Sequence, residues 1–314
     1  MSIPAQATAP ESPILLRDSA TDWQQIRANA IVACLFIAAS VATLATVAIF
    51  YTLISNGWDF FRVVSLKEFF FGTEWAPDFP PPRFGSVPLL KGTFQIAIGA
   101  IIIGLPLGVG SALFISEFAS PRLRSILKPT IELLAGIPSI VFGLVALFIL
   151  SPIIRDIFPG TGVFNAASAS IALGVMVVPI IASISEDALR AVPRELREAA
   201  LALGATRWET TSKIVLPAAK SGVTASLILG FSRAIGETMV VTLAAGGMSN
   251  LSWNYLEPTW TITAFIANRA TGDLAPGTVQ YISIFALGLV LFVITFAINI
   301  VAEFVLAKQR SKFA

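Results

Sequence analysis

Histidine is absent from this 314-residue chain, and cysteine occurs once, at position 34. The first absence removes imidazole acid–base chemistry and the commonest metal ligand. The second excludes an intrachain disulfide and a thiolate metal cluster. Charge is scarce as well: 13% of residues are charged against 55% hydrophobic, a balance that belongs to polytopic membrane proteins. No GxxxxGK[ST] run occurs, so the chain lacks a phosphate-cradling loop for ATP. If ATP drives its work, a different polypeptide binds it. Nothing in the sequence marks a nucleic-acid partner; the expected surroundings are membrane lipid.

What remains is a series of apolar runs. The expected organisation is a cytoplasmic tail over 1–26, a first transmembrane helix over 27–55 and a periplasmic loop over 56–87. A five-helix core over 88–306 and a short cytoplasmic tail over 307–314 follow. The first run is spanning length and too long for a signal-peptide core. The core spans are expected near 88–115, 129–150, 166–184, 217–245 and 281–306. Gly and Pro within them are tolerated because neighbouring helices satisfy freed backbone groups. The loop carries Trp58, Phe60, Phe61, Phe69, Phe70, Phe71, Trp75 and Pro80–Pro82. Aromatics resting at the membrane interface are the preferred reading, with a docking surface for an external partner as the alternative. With both termini inside, fourteen Lys and Arg fall on the cytoplasmic side and six outside, which is the positive-inside pattern. The fold class is therefore all-α, with six transmembrane helices.

The most charged stretch, VPRELREAALALGATRWETTSKIVLP from Val192 to Pro217, lies between two apolar runs. Pro193 suits a first helical position. Leu196, Ala199, Ala200 and Leu203 make one apolar stripe on a short helix. Gly204 follows where a left-handed cap would sit, and a second short helix is expected over 206–215. The motif is Glu198-Ala199-Ala200, then Gly204, then Ile214, Leu216 and Pro217 at fixed spacing.

Arg233 and Glu237, in SRAIGETM, lie inside the fifth apolar run, four residues apart and so on one helix face. A charge near the bilayer centre costs roughly 2.5–3.5 kcal/mol on insertion scales, so it is functional by default. Arg233 could line a path and meet a tetrahedral oxyanion through its planar fork, with Glu237 orienting it. The alternative is an ion pair that only fixes packing. Glu132 is expected to begin the third span. Pro138 and Ser139 are expected two turns deeper, offering freed backbone groups and a hydroxyl to the path.

The Glu198–Pro217 pattern resembles the EAA loop of ABC-importer permeases. Together with FGSVPLLKGT (84–93) and ELLAGIPSIVFG (132–143), the SRAIGETM run makes residues 58–306 similar to permeases of the phosphate-specific (Pst) importers, of PstC type. The resemblance implies a type I importer permease (MetI-like) core in the bacterial inner membrane. It makes the chain a transport subunit rather than an enzyme. It further implies a PstA-like second permease, two copies of a PstB-like ATPase holding ATP and Mg, and a PstS-like periplasmic phosphate-binding protein. In that family the EAA loop docks on the ATPase. A permease for another oxyanion, such as sulfate or molybdate, is the nearest rival. An ion-coupled secondary transporter and a membrane signalling scaffold are more distant ones. The segment 248–280 carries no usable motif.

Overall fold

A computed structural model describes residues 19–272 and 275–310. The expected tails fall largely outside this range, at 1–18 and 311–314. The chain divides into two compact units, residues 1–52 and 53–314. Helix α1 (Ser19–Val63) begins in the first and ends in the second. Its part up to Thr52 is unbroken helix whose apolar side chains, among them Leu35, Phe36 and Leu44, are exposed. A surface of that kind demands lipid or protein cover. The helix starts earlier and ends later than the 27–55 expected from hydropathy, because hydropathy marks the apolar stretch and not the hydrogen-bonded one.

The region 56–87 is not a simple loop. After α1 come α2 (Leu66–Phe71) and a two-stranded antiparallel hairpin, β1 (Trp75–Ala76) with β2 (Arg83–Phe84). Phe60, Phe69, Trp75 and Phe84 are buried against Leu89 and Phe265. Edge-to-face contacts place the Phe60 and Phe69 centroids 5.4 Å apart and the Trp75 and Phe265 centroids 5.2 Å apart. Offset and T-shaped geometries of this kind add to area burial. The expectation of an interface belt is thus corrected for these four rings, which form a small core of their own. Trp58, Phe71 and Phe79 stay exposed.

Helix α3 (Val87–Leu113) continues through a wide π turn, Phe114–Phe118. Helix α4 (Pro121–Ala135) is amphipathic. The chain breaks at Gly136–Pro138 before α5 (Ser139–Val145), a π turn and α6 (Ser151–Ile157). Helix α7 (Ala166–Arg190) is the most enclosed span and packs along α3. The approach is close because glycines face one another: a Cβ on Gly104 would lie 2.8 Å from Gly174 O, and one on Gly174 would lie 2.9 Å from Ala100 O. Small residues permit this where apolar side chains alone give no driving force.

Next come α8 (Arg194–Ala202), α9 (Arg207–Thr210), a π turn (Thr211–Val215) and α10 (Leu216–Ala218). Then follow α11 (Lys220–Ile235), α12 (Met239–Ala244), α13 (Ile262–Ala270) and α14 (Val279–Arg310). Five helices among the described residues are long and apolar enough to cross a membrane: Gln25–Val63, Val87–Phe118, Ser139–Ile157, Ala166–Arg190 and Val279–Val305. The fifth expected span, near 217–245, is instead a bent pair, Arg207–Ala218 with Lys220–Ile235, turning through 69°. The third span therefore starts at Ser139 and not near 129. Periodic apolar residues run through 121–150 on both sides of the break, so hydropathy shows no boundary there.

Candidate functional site

Two groups of the sequence motifs become structural sites, one at each end of α11. At the first, α7 ends at Arg190 and the chain turns through Val192 and Pro193 into α8. Pro193 stands one residue ahead of the helix, with φ −54° and ψ 142°. The N–H is missing at the cap instead of at the first helical position. Leu203 closes the helix and Gly204 follows with φ +85°, as the cap reading requires. The Gly204 and Ala205 N–H groups donate to Leu201 O and Ala200 O at 3.0 and 3.1 Å, taking up carbonyls the helix end leaves free. Thr206 and Glu209 then form a capping box at the start of α9. The Thr206 N–H, with Lys213 beside it, holds the Glu209 carboxyl down to about 2.

The expected apolar stripe on α8 is turned outward. Only Ala200 is buried; Glu198 and Ala199 are exposed, and so are Leu196 and Leu203, the last at 90%. The inward side belongs to Arg197. Its Nε and Nη2 donate to the two Glu117 carboxylate oxygens at 3.2 and 3.0 Å. Its Nη1 donates to Val192 O at 2.6 Å and its Nη2 also to Leu189 O at 2.7 Å. The pair is largely enclosed, with side-chain exposures of 19% and 11%. One guanidinium thus joins α8 to the end of the α3 span and to the end of α7. Bidentate Arg–carboxylate pairs are the geometrically specific ones. Beside it Leu216 packs on a cluster of Ala112, Leu189, Val192, Val215 and Ala219. Ile214 is half-buried and Pro217 exposed.

At the far end, α11 stops at Ile235. Arg233 stands roughly 20 Å along the axis from Lys220, at about 1.5 Å per residue. Glu237 is not on the helix; it lies in the break Gly236–Thr238. Its Oε1 accepts from Met239 N–H at 3.1 Å and Val240 N–H at 3.5 Å, capping α12. Its Oε2 is 3.5 Å from Arg233 Nη2. The partners are unequal: Glu237 is 3% exposed and Arg233 50%. A buried carboxylate with three donors holds a guanidinium whose outer half is free to meet something else.

The other expected path residues separate. Pro138 caps α5, which packs against α12; a Cβ on Gly143 would lie 3.2 Å from Met239 O. Ser139, four residues before Gly143, shares that face. Glu132 is on α4, exposed, beside Lys128 and Glu186 in a small crevice at the end of α7. It does not begin the third span. The ion pair there is Lys128 Nζ–Glu186 at 2.7 Å, and that hydrogen bond is the main cause raising the Lys128 ammonium above its usual value.

Sequence reasoning missed Lys91. Its ammonium is buried in α3 and donates to Gln95 Oε1 (3.1 Å), Asn250 Oδ1 (2.8 Å), Ser252 O (2.5 Å) and Thr259 Oγ1 (3.4 Å). It pins the 246–261 segment, which carried no motif, to the end of the bundle opposite α8. The one available signal was a lysine within an otherwise apolar span.

The family model described as "Binding-protein-dependent transport system inner membrane component" matches residues 104–311. The chain belongs to this family. Among curated relatives, a phosphate transport system permease protein PstC of Xylella fastidiosa (strain 9a5c) is 37% identical, covering 78% of this chain and 80% of that one. A PstC of Mesorhizobium japonicum is 35% identical over 82% and 83%. A probable ABC transporter permease, YqgH, of Bacillus subtilis is 35% identical over 88% of each. A solved bacterial ABC transporter involved in import of the acidic polysaccharide alginate superposes with TM-score 0.61 at 16% identity, over 92% of this chain and 98% of that one. The MetNI methionine ABC transporter gives 0.50 at 23%, over 70% and 94%. These structures bear on fold alone. This permease is a multi-pass inner-membrane component of an ABC importer, not an enzyme.

Breaking the enclosed Arg197–Glu117 pair on one side leaves an uncompensated charge, a change that typically costs about 3–5 kcal/mol. Arg197→Gln is expected to lower the thermal stability of the detergent-extracted permease clearly. Glu117→Gln with Arg197→Gln is expected to recover part of the loss. A melting temperature for Arg197→Gln equal to the parent's would refute this account.

Proposed function

We propose that this permease moves inorganic phosphate inward, with Arg233 contacting the anion in the pathway. The observation that carries the reading is the half-open guanidinium in the last turn of α11, held by one buried carboxylate at 3.5 Å. A planar cation with free donors suits a tetrahedral oxyanion. The relatives named as phosphate permeases support that choice of oxyanion over sulfate or molybdate. Ser139 and Pro138, beside α12, are proposed as further pathway residues; Glu132, set in its crevice with Lys128, is no longer proposed as one.

The partners proposed are a PstA-like second permease, two PstB-like ATPase subunits that bind ATP and Mg, and a PstS-like periplasmic phosphate-binding protein. The α8 face is proposed as the ATPase contact. It is exposed, apolar at Leu196, Ala199 and Leu203, and rimmed by charge, as an interface core needs. The Lys and Arg distribution supports a cytoplasmic position for this face and both termini.

Three expected outcomes test the proposal. Uptake of radiolabelled phosphate into proteoliposomes holding all partners is compared for Arg233→Gln, Glu237→Gln and the double variant. The double variant is expected to assemble at near-parental yield, since it leaves neither charge unpaired, and to lose at least tenfold in uptake per complex. Near-normal uptake by the double variant would falsify the pathway role.

Gly204→Val places a β-branched residue at positive φ, with open space around it. The variant is therefore expected to insert normally but to hydrolyse ATP without matching uptake. Parental coupling in that variant would count against the docking role of α8.

Cysteine at Leu203, after Cys34→Ala, is expected to react with an impermeant thiol reagent only in inverted vesicles, and cysteine at Phe79 only in right-side-out cells. The reverse pattern would overturn the orientation.

A further inference from the structure

Beside the Arg197–Glu117 pair lies a polar pocket of about 270 Å³, lined by Ser116, Glu117, Arg124, Arg190, Arg194 and Arg197. Four guanidinium groups face one carboxylate, and that carboxylate is already taken up by Arg197. The four cations fall into two kinds. Arg124 donates through Nε to Ile115 O at 2.8 Å and through Nη2 to Ser116 O, and Arg197 is fixed as described. These two form a rigid wall. Arg190 and Arg194 are exposed. Arg190 has only a long 3.6 Å contact to Glu186, and Arg194 has no hydrogen bond or ion pair among the described residues. They stand on either side of the turn into α8, as two arms opposite the wall.

Like charges gathered this closely repel one another unless an anion joins them, and among the described residues Glu117 is the only carboxylate lining the pocket. The space exceeds what a single phosphate group needs. Arginine forks match phosphate oxygens two at a time. The spans Val87–Phe118 and Ala166–Arg190 both end here, which sets the pocket at the level of lipid headgroups and within reach of solutes on the coupling-loop side. We propose that this pocket binds a phosphate group, either inorganic phosphate or the phosphodiester of an anionic lipid. Bound there, the anion draws Arg190 and Arg194 of the α7–α8 turn towards Arg124 and Arg197, and so ties α8 to the end of α7 and the start of α4. The site is distinct from Arg233, and the inference needs only anion chemistry, not the transported substrate.

The test uses the assembled complex with Arg233→Gln as the background, so that phosphate binding at the pathway residue does not contribute. In phosphatidylcholine nanodiscs, radiolabelled inorganic phosphate binding is measured with and without Arg190→Gln/Arg194→Gln. Retention of phosphatidylglycerol through purification is read by native mass spectrometry on the same pair. Phosphate binding at least tenfold weaker in the Gln pair identifies free phosphate as the ligand. Phosphatidylglycerol retained by the background and lost from the Gln pair, without phosphate binding, identifies the lipid. Either outcome supports the site. Equal behaviour of background and Gln pair towards both anions overturns it. So does loss of the ATPase subunit from the Gln pair with unchanged anion binding, which would make these arginines a protein contact. Should the Gln pair fail to assemble, Arg190→Lys/Arg194→Lys keeps the charge and removes the forks. Weakened anion binding is expected there too, and parental binding would refute a site built on bidentate recognition.

Discussion

A helix that lies outside the membrane can move membrane helices only through what it is fastened to. In this permease the fastening is Arg197. Its guanidinium spends donors on Glu117 at the end of the α3 span and on the carbonyls of Leu189 and Val192 at the end of α7. Those carbonyls are among the groups a helix terminus cannot satisfy internally, so one side chain closes a helix end and makes a tertiary joint. The consequence for α8 is an inverted amphipathic helix: one charged side chain, Arg197, points in and its leucines point out. Exposed Leu196 and Leu203 are costly for an isolated chain, and they make sense where a second surface covers them.

The opposite end of α11 shows the same economy with the signs exchanged. There the buried group is an anion, Glu237, and the partly open group a cation, Arg233. Interrupting the helix at Gly236–Thr238 gives the carboxylate two backbone N–H donors from α12. A continuous helix could not have offered them, since those N–H groups would already bond within it. The break therefore lets a carboxylate be buried without depending wholly on the arginine. That leaves the arginine free to face outward, which a simple structural ion pair of two fully buried partners would not do.

Legibility in the sequence followed the range of the interaction. Gly204 could be read because a left-handed cap is a local demand that glycine meets within one turn. The six spans and the polar loop could be read because hydropathy is local as well. The inward turn of Arg197 could not, because its partner Glu117 is distant in sequence and lies in a segment that reads as the tail of an apolar run. The aromatic residues 60–84 read as an interface belt since nothing nearby shows that Phe265 will close over them. The start of the third span is not legible because α4 is amphipathic and carries apolar residues up to the Gly136–Pro138 break. Lys91 was passed over because its acceptors come from a loop without any recognisable motif.

Taken together, the two anchors confine where this permease can deform. At one end Lys91 fastens the 246–261 segment to α3 with three hydrogen bonds. At the opposite end Arg197 fastens α8 to the end of the α3 span and to the end of α7. Helices α3 and α7 are close-packed through facing glycines, so the two anchors attach to one rigid unit. Helix α11 differs: it is bounded by the 69° bend at Ala219 on one side and the break at Gly236 on the other. The helix bends at Ala219 and ends before Gly236–Thr238, so reorienting α11 turns on φ/ψ changes in a few residues at those two places. A displacement of α8 relative to the rigid unit would reach Arg233 most directly through α9, α10 and that rod. Under the coupling reading, the residue facing the path sits on the element with the least backbone resistance to being turned.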